Sequence, residues 1–402
     1  MKYLSAAKKS ECRLKQLDPW DPQLIPYLYP NWNPYKECRI SREMHTELKY
    51  NTVRMLDNTY VVKPKGKVFQ KEDVLHPGVF ILVLDSTSSS SGIRTIMKTN
   101  QLFIEIHVKG RNSEVLRQLY DATTFYYHNK AGLNSRPNAF AMFSGTRISE
   151  LDEFRFPGKS TSEHPNSCKD GVKRNDTVTY DFVDQNYASV IAEDWVGAFN
   201  WPNCKGYGIP PTDHYTGRDE KIFKNYFYTG ECQETYHKLL DYISKFLDEY
   251  NGISKFVMIW LSLIAHDSAS GLYRTDNYFA DFFRKHAKKL ENSFIFVMGD
   301  HGLRFGGIRQ TPPGQTEDNN PLLTIALPKY LRSNKQLILN LKQNSRRHTS
   351  QFDFYATLYD IARYARKDNF QKWDEHDFRN ELGEIRGGIR AKSMLRPILY
   401  DR

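Results

Sequence analysis

Apolar positions along this chain fall into two alternating patterns, short unbroken runs and helical stripes. Residues 78–84 and 294–298 are continuous apolar runs of strand length, and a third run starts at Phe256. Such runs read as strands covered on both faces, the habit of parallel sheets. Residues 233–250 place Tyr236, Leu239, Leu240, Ile243, Phe246 and Leu247 at helical spacing, and residues 276–290 do so through Tyr278, Phe279, Phe282 and Phe283. The strand, helix and strand from Phe256 onward have the length of a right-handed parallel crossover. Further strands are expected around 124–127 and 321–327, and helices over 109–120, 137–143 and 352–364. The run at 187–194 suits a strand around Val190 to Ala192, although one this brief fits a helix too. The sum is an α/β fold with a mainly parallel central sheet.

Two regions lack these patterns. Residues 1–75 carry Pro19, Pro22, Pro26, Pro30, Pro34 and Pro64 and read as an irregular N-terminal arm packed on a main domain that fills 76–402. Residues 195–230, rich in Gly, Pro and aromatics, read as a long surface excursion.

Composition narrows the classes. A chain of 402 residues with 40% hydrophobic and 26% charged positions can bury a large core and is not broadly disordered. The net charge of +10 favours anionic partners such as phosphate or sulfate esters. No basic tract or aromatic-interleaved RNA motif occurs, which argues against nucleic acid as the partner. The longest apolar run, 256–265, is about half the roughly 20 residues of a membrane-spanning helix. The first ten residues lack the apolar core of a signal peptide. Five cysteines (Cys12, Cys38, Cys168, Cys204 and Cys232) are neither dense nor at zinc spacings. Cys12 with Cys38, and Cys204 with Cys232, could close disulfides in a secreted chain; in a reducing compartment all five would remain thiols.

The candidate chemistry sits at strand ends. The run through Leu84 stops on Asp85, the Phe256 run leads to His266-Asp267, and the Phe294 run stops on Gly299-Asp300-His301-Gly302. Ligands of parallel sheets gather outside the carboxyl ends of the strands. One such Asp is as often a turn former or helix cap, but three such ends converge on one cleft. Carboxylate and imidazole together suit a divalent cation. Upstream, Asn134-Ser135-Arg136-Pro137-Asn138 precedes a helical run, with Pro137 suited to the first turn. Ser135 would then lie at the positive end of a helix dipole, where an alkoxide and an incoming anion are both stabilised. Arg94, Arg136 and Arg304 are candidates to hold that anion, Arg304 being best placed after Asp-His-Gly-Leu. Ser86 to Gly92 invites a phosphate-loop reading but lacks the Gly-Lys-Ser/Thr signature, and reads instead as a flexible loop.

These motifs resemble those of the alkaline phosphatase/sulfatase superfamily: Leu84-Asp85-Ser86, Ser135-Arg136-Pro137-Asn138 and Gly299-Asp300-His301-Gly302. The nearest likeness is to a branch of that superfamily known as a domain of unknown function in nematodes and insects. Its features stand here as Glu193-Asp194-Trp195, Pro210-Pro211-Thr212-Asp213-His214-Tyr215, Ala265-His266-Asp267, Glu317-Asp318-Asn319-Asn320-Pro321 and Lys392-Ser393-Met394-Leu395-Arg396-Pro397. The resemblance implies an alkaline-phosphatase-like three-layer sandwich and in-line displacement at phosphorus or sulfur through a covalent seryl intermediate. It implies Asp85, Ser135, Asp300 and His301 around one divalent ion (zinc, manganese or calcium), with a second ion left open. It further implies Ser135 and His266 as catalytic residues, and Arg304, Arg136 and Asp267 on the substrate side.

Departures refine the expectation. His266 and Asp267 are adjacent, where two-metal members spread Asp and His four residues apart, and neither the Glu317 region nor His348 offers a secure further ligand. One metal site is therefore expected. Ala139 stands where a formylglycine sulfatase has Arg, which disfavours that chemistry. The expected function is a metal-dependent hydrolase or transferase of phosphate esters. The rivals are a sulfate-ester hydrolase and a catalytically inactive extracellular binding protein. The resemblance implies an extracellular or secretory location.

Overall fold

The computed structural model describes residues 17–37, 63–103, 119–149, 162–195, 197–207, 210–216, 234–381 and 388–399. Its centre is a seven-stranded sheet in the order β2-β8-β7-β1-β6-β4-β5. The strands are β1 (Gly78–Leu84), β2 (Thr123–Thr124), β4 (Ala188–Glu193), β5 (His214–Thr216), β6 (Lys255–Leu261), β7 (Ser293–Met298) and β8 (Leu323–Ala326). β7, β1, β6, β4 and β5 run parallel, whereas β8 is antiparallel to β7 and to β2. A two-stranded parallel pair, β3 (His128–Asn129) with β9 (Thr349–Ser350), lies apart.

β1 is buried along its whole length because both its faces are covered. Val79, Ile81 and Val83 belong to one apolar core; Phe80, Leu82 and Leu84 belong to the other. The two-residue period of a strand distributes its side chains between two layers in this way. Burying each large apolar side chain contributes roughly 1.5–3 kcal/mol. The first core is closed by α3 (Ser135–Ser144), α9 (Lys335–Asn344) and α10 (Gln351–Tyr359) through Phe140, Phe143, Leu337, Phe354 and Leu358. The second is closed by α6 (Thr235–Glu249) and α7 (Asp276–His286) through Leu239, Ile243, Phe246, Phe279 and Phe283. Helices, sheet and helices make the three-layer α/β sandwich that was expected. The remaining helices are α1 (Ser89–Thr95), α2 (Met97–Phe103), α4 (Ser167–Asp170), α5 (Thr179–Val183) and α8 (Pro312–Asn319).

The register sets the site. Leu84 lies beside Leu261 and Val83 beside Met298, so Asp85 and the Gly299-Asp300-His301 turn leave adjacent strands at the same level.

Several expectations need correction. The 195–230 segment is not merely a surface excursion: it supplies β5, the sheet's edge strand, and buries Phe199 and Tyr207. The residues after Asp85 are not a flexible loop, because Ser88 accepts a hydrogen bond from Ser91 N and caps α1, most of which is buried. Cys204 is bonded to Cys168 rather than to Cys232. Cys12, Cys38, Cys232 and most of the helix expected over 109–120 lie outside the described residues. The described part of the N-terminal arm carries one short 3-10 turn, Ile25–Tyr27, and touches the body where Tyr29 N donates to Ser270 Oγ.

Candidate active site

Three side chains converge beyond the ends of β1 and β7. One ligand atom from each of Asp85, Asp300 and His301 lies within 4.8 Å of the others, and all three residues are buried. Among the described residues this is the one group of three or more such side chains.

Local backbone explains how they meet. Ser86 adopts φ 58°, a left-handed conformation, which turns the chain sharply after Asp85. From that turn Ser86 N donates to Asp300 Oδ1 at 3.1 Å and Ser86 Oγ donates to Asp85 Oδ1 at 3.0 Å. Gly299 and Gly302 allow close backbone approach: a Cβ on Gly299 would lie 2.1 Å from the Thr87 carbonyl oxygen, and one on Gly302 would lie 2.1 Å from that of Glu317. Gln351, at the start of α10, donates to the carbonyls of Gly299 at 3.1 Å and Asp300 at 2.8 Å, and its Oε1 lies 3.1 Å from Nε2 of buried His128.

The electrostatics suit a cation. His301 Nδ1 lies 2.8 Å from the Gly302 carbonyl oxygen, which calls for a proton on Nδ1; in the neutral imidazole Nε2 is then an acceptor. That Nε2 lies 3.3 Å from Asp300 Oδ2 and 3.8 Å from Asp85 Oδ1. Among the described residues neither His301 Nε2 nor Asp300 Oδ2 has a hydrogen-bond partner. Burial raises the Asp300 pKa, and neighbouring Asp85 raises it further, against the opposing effect of His301. Two orphaned acceptors facing each other between two carboxylates fit a divalent ion, and imidazole with carboxylate is a suitable donor set.

Ser135 is the first residue of α3, after Asn134 in extended conformation, and its Oγ donates to Asp85 Oδ2 at 3.1 Å. Asn138 holds the preceding loop against this helix start, accepting from Ala131 N and Gly132 N at 2.7 and 3.1 Å. The structure thus brings together Asp85, Ser135, Asp300 and His301.

The other candidates are placed differently. His266 is more than a third exposed; its Nδ1 lies 2.7 Å from Asp267 Oδ1, and its ring packs near Phe305, just past the Asp-His turn. Asp267 is itself open to solvent. Arg304 stands half-buried with its guanidinium 4.6 Å from the Phe305 ring centre. Arg136 is occupied: Nε donates to the Phe199 carbonyl, Nη2 donates to Ser167 Oγ, and burial lowers its pKa. Arg94 is a correction: it is buried in a two-pronged ion pair with Glu317, at 2.5 and 2.9 Å, so neither is free for a ligand. His348 is exposed, with Nδ1 2.8 Å from Asn129 Nδ2.

The sequence did not single out Gln351, and it marked Ser86, Glu193 and Asp194 only as parts of motifs, with no role of their own. Ser86 follows Asp85 directly, a signal that was available; Gln351 gave none. Burial pushes Glu193 and Asp194 both up to about 7, with Asp194 adding to the rise of Glu193 and Asp85 to that of Asp194. Asp194 braces β6, accepting from Ser262 N at 2.6 Å. A cavity of about 780 Å³, lined by Arg147, His164, Asp353 and Arg390 among others, contains none of the residues gathered around Asp85.

Residues 37–402 match the family described as "Protein of unknown function (DUF229)". The chain belongs to that family. No curated protein matches it. Among solved structures it is similar to lipooligosaccharide phosphoethanolamine transferase A from Neisseria meningitidis, at 15% identity and TM-score 0.44, over 75% of this chain and 56% of that one. It is also similar to a protein in the alkaline phosphatase superfamily from Vibrio parahaemolyticus, at 15% identity and TM-score 0.43, over 74% of this chain and 68% of that one. A third is the phosphonate monoester hydrolase from Silicibacter pomeroyi, at 8% identity and TM-score 0.47, over 71% and 73% of the two chains. The chain therefore spans a little over half the length of the transferase it resembles.

Proposed function

We propose that this chain is a metal-dependent hydrolase or transferase of phosphate esters, with Ser135 as its nucleophile. The observation that carries the reading is the Ser135 hydroxyl, 3.1 Å from a carboxylate of the buried Asp85, Asp300 and His301 group, whose facing acceptors have no other partner among the described residues. Asp85, Asp300 and His301 would hold one divalent ion, with Ser135 Oγ beside it. A bound ion would polarise the ester and lower the pKa of an oxygen that it holds.

The chain's own residues supply the rest. The N-terminus of α3 favours negative charge at Ser135. Asp85 Oδ2, which accepts the serine hydroxyl, would take its proton as Oγ attacks. In-line attack forms the Ser135 Oγ–phosphorus bond as the phosphorus–oxygen bond to the leaving alcohol breaks. His266, whose Nδ1 lies beside Asp267, would give the departing alkoxide its proton. Attack on the seryl ester by water completes hydrolysis; attack by a second alcohol completes transfer.

The Cys168–Cys204 disulfide supports an extracellular or secretory location, where such bonds persist. Among the described residues no helix is long and apolar enough to cross a membrane.

The test is turnover of an aryl phosphate, a bis-aryl phosphate and an aryl sulfate by metal-loaded protein. Turnover of a phosphate ester that Ser135→Ala abolishes, with metal content unchanged, is the expected result. No turnover of any ester by folded, metal-loaded protein would instead identify a binding protein that keeps the fold.

A further inference from the structure

Next to the metal residues lies a group of cations that the reaction above does not use. Asp318 N and O belong to the segment pressed against the Asp-His turn, and Gly302 N donates to the Asp318 carbonyl at 3.0 Å. The Asp318 carboxylate takes Lys130 Nζ at 2.5 Å on one oxygen and Arg309 Nε at 3.0 Å on the other. Lys130 lies five residues before Ser135, and its N donates to the Asn319 carbonyl. The group therefore bridges the loop that leads to Ser135 and the loop that follows His301.

Its charges do not cancel. Arg304 stands close enough to Lys130, as does Arg309, to add to the burial that lowers the lysine's pKa, which Asp318 opposes. Both Asp318 oxygens are already engaged, and among the described residues Arg304 makes no hydrogen bond or ion pair, its Nε being buried without a partner. Three cations around one carboxylate leave an excess of positive charge in a half-buried setting, where it is poorly screened. Guanidinium groups of this kind recognise carboxylate and phosphate oxygens well.

We propose that Lys130, Arg304 and Arg309 form a second anion subsite, which takes a negatively charged group that the substrate carries in addition to its ester at Ser135. The inference rests on the phosphate-ester reading and sharpens it: the preferred substrate is a phosphate ester whose alcohol bears a further carboxylate or phosphate. Asp318 fixes Lys130 and Arg309, and Arg304 is the free arm that closes on the ligand.

A matched pair of ligands tests this. Glycerol 3-phosphate and 3-phosphoglycerate differ at one end of the same skeleton, a hydroxymethyl against a carboxylate. Calorimetric titration of each into zinc-loaded wild type, Arg304→Gln and Arg309→Gln gives the preference without requiring turnover. The wild type should bind 3-phosphoglycerate at least tenfold tighter; Arg309→Gln should reduce that ratio at least fivefold while leaving glycerol 3-phosphate within about twofold, and Arg304→Gln should reduce the ratio as well. Equal affinities in the wild type, or a ratio unchanged in both variants, would overturn the subsite and leave the phosphate-ester reading standing if esters are still turned over. Failure of both ligands to bind, together with no turnover, would overturn both.

Discussion

His301 Nε2 faces Asp300 Oδ2 across 3.3 Å in a fully buried setting, and among the described residues neither atom has a hydrogen-bond partner. Leaving buried polar atoms unpaired costs roughly 1–3 kcal/mol each. A divalent cation between the two atoms would remove that cost, as the proposed metal site requires.

Metal should therefore stabilise the fold. At a free concentration about 100 times Kd, a ligand specific for the native state adds roughly 2.7 kcal/mol. Thermal unfolding with and without a chelator checks this. The wild type should lose several degrees of Tm on chelation, and His301→Ala should show no chelator effect.

Gly299 tests the close approach. An alanine there puts its Cβ 2.1 Å from the Thr87 carbonyl oxygen, and the neighbours are backbone atoms with little room to give. Overpacking of this kind costs about 1–3 kcal/mol. Chemical denaturation of Gly299→Ala should show that loss, together with weaker metal binding because the Asp85 and Asp300 turns are pushed apart.

The Arg94–Glu317 pair behaves as structure. Both side chains are almost wholly buried, so removing one partner strands the other charge at a cost of about 3–5 kcal/mol. Arg94→Met and Glu317→Gln should each destabilise by that order in denaturant unfolding. The double variant should recover much of the loss, and metal affinity should stay within about threefold of wild type in each.

Acid sensitivity follows from His128. Burial lowers its pKa from 6.5 to about 4 in the folded chain. Between those values the unfolded state holds a proton that the native state does not, so stability rises with pH across this window and is lost as pH falls through it. The contribution is about 3 kcal/mol. His214 and His286, also held near 4 by burial, act with the same sign, so the readout is a difference between proteins. Stability from pH 7 to pH 4 should fall less steeply in His128→Gln than in wild type.

Much of this arrangement could be read from the chain. β1, β6 and β7 announce themselves because strands covered on both faces need unbroken apolar runs, and a polar residue that ends such a run lies just beyond the end of its strand. Ser135 was legible because Pro137 and the following apolar stretch mark a helix start. Other features depend on contacts between distant residues. Nothing near Arg94 signals that Glu317 will neutralise it, so a structural arginine looks like an anion holder. Five cysteines leave several pairings open, and Cys168 carries no local mark that favours Cys204. β5 has three residues in a segment dense with Gly and Pro, too few for a period to emerge. Gln351 acts through backbone carbonyls, and any sequence can supply those.

The most direct measurement is a calorimetric titration of divalent ion into metal-free wild type, Asp300→Asn and Ser135→Ala. The account predicts one site per chain in the wild type, an affinity lowered by at least the 10–100-fold that losing an outer-shell partner costs in Asp300→Asn, and retained binding in Ser135→Ala. Absence of a site in folded wild type, or an affinity that Asp300→Asn leaves unchanged, would contradict it.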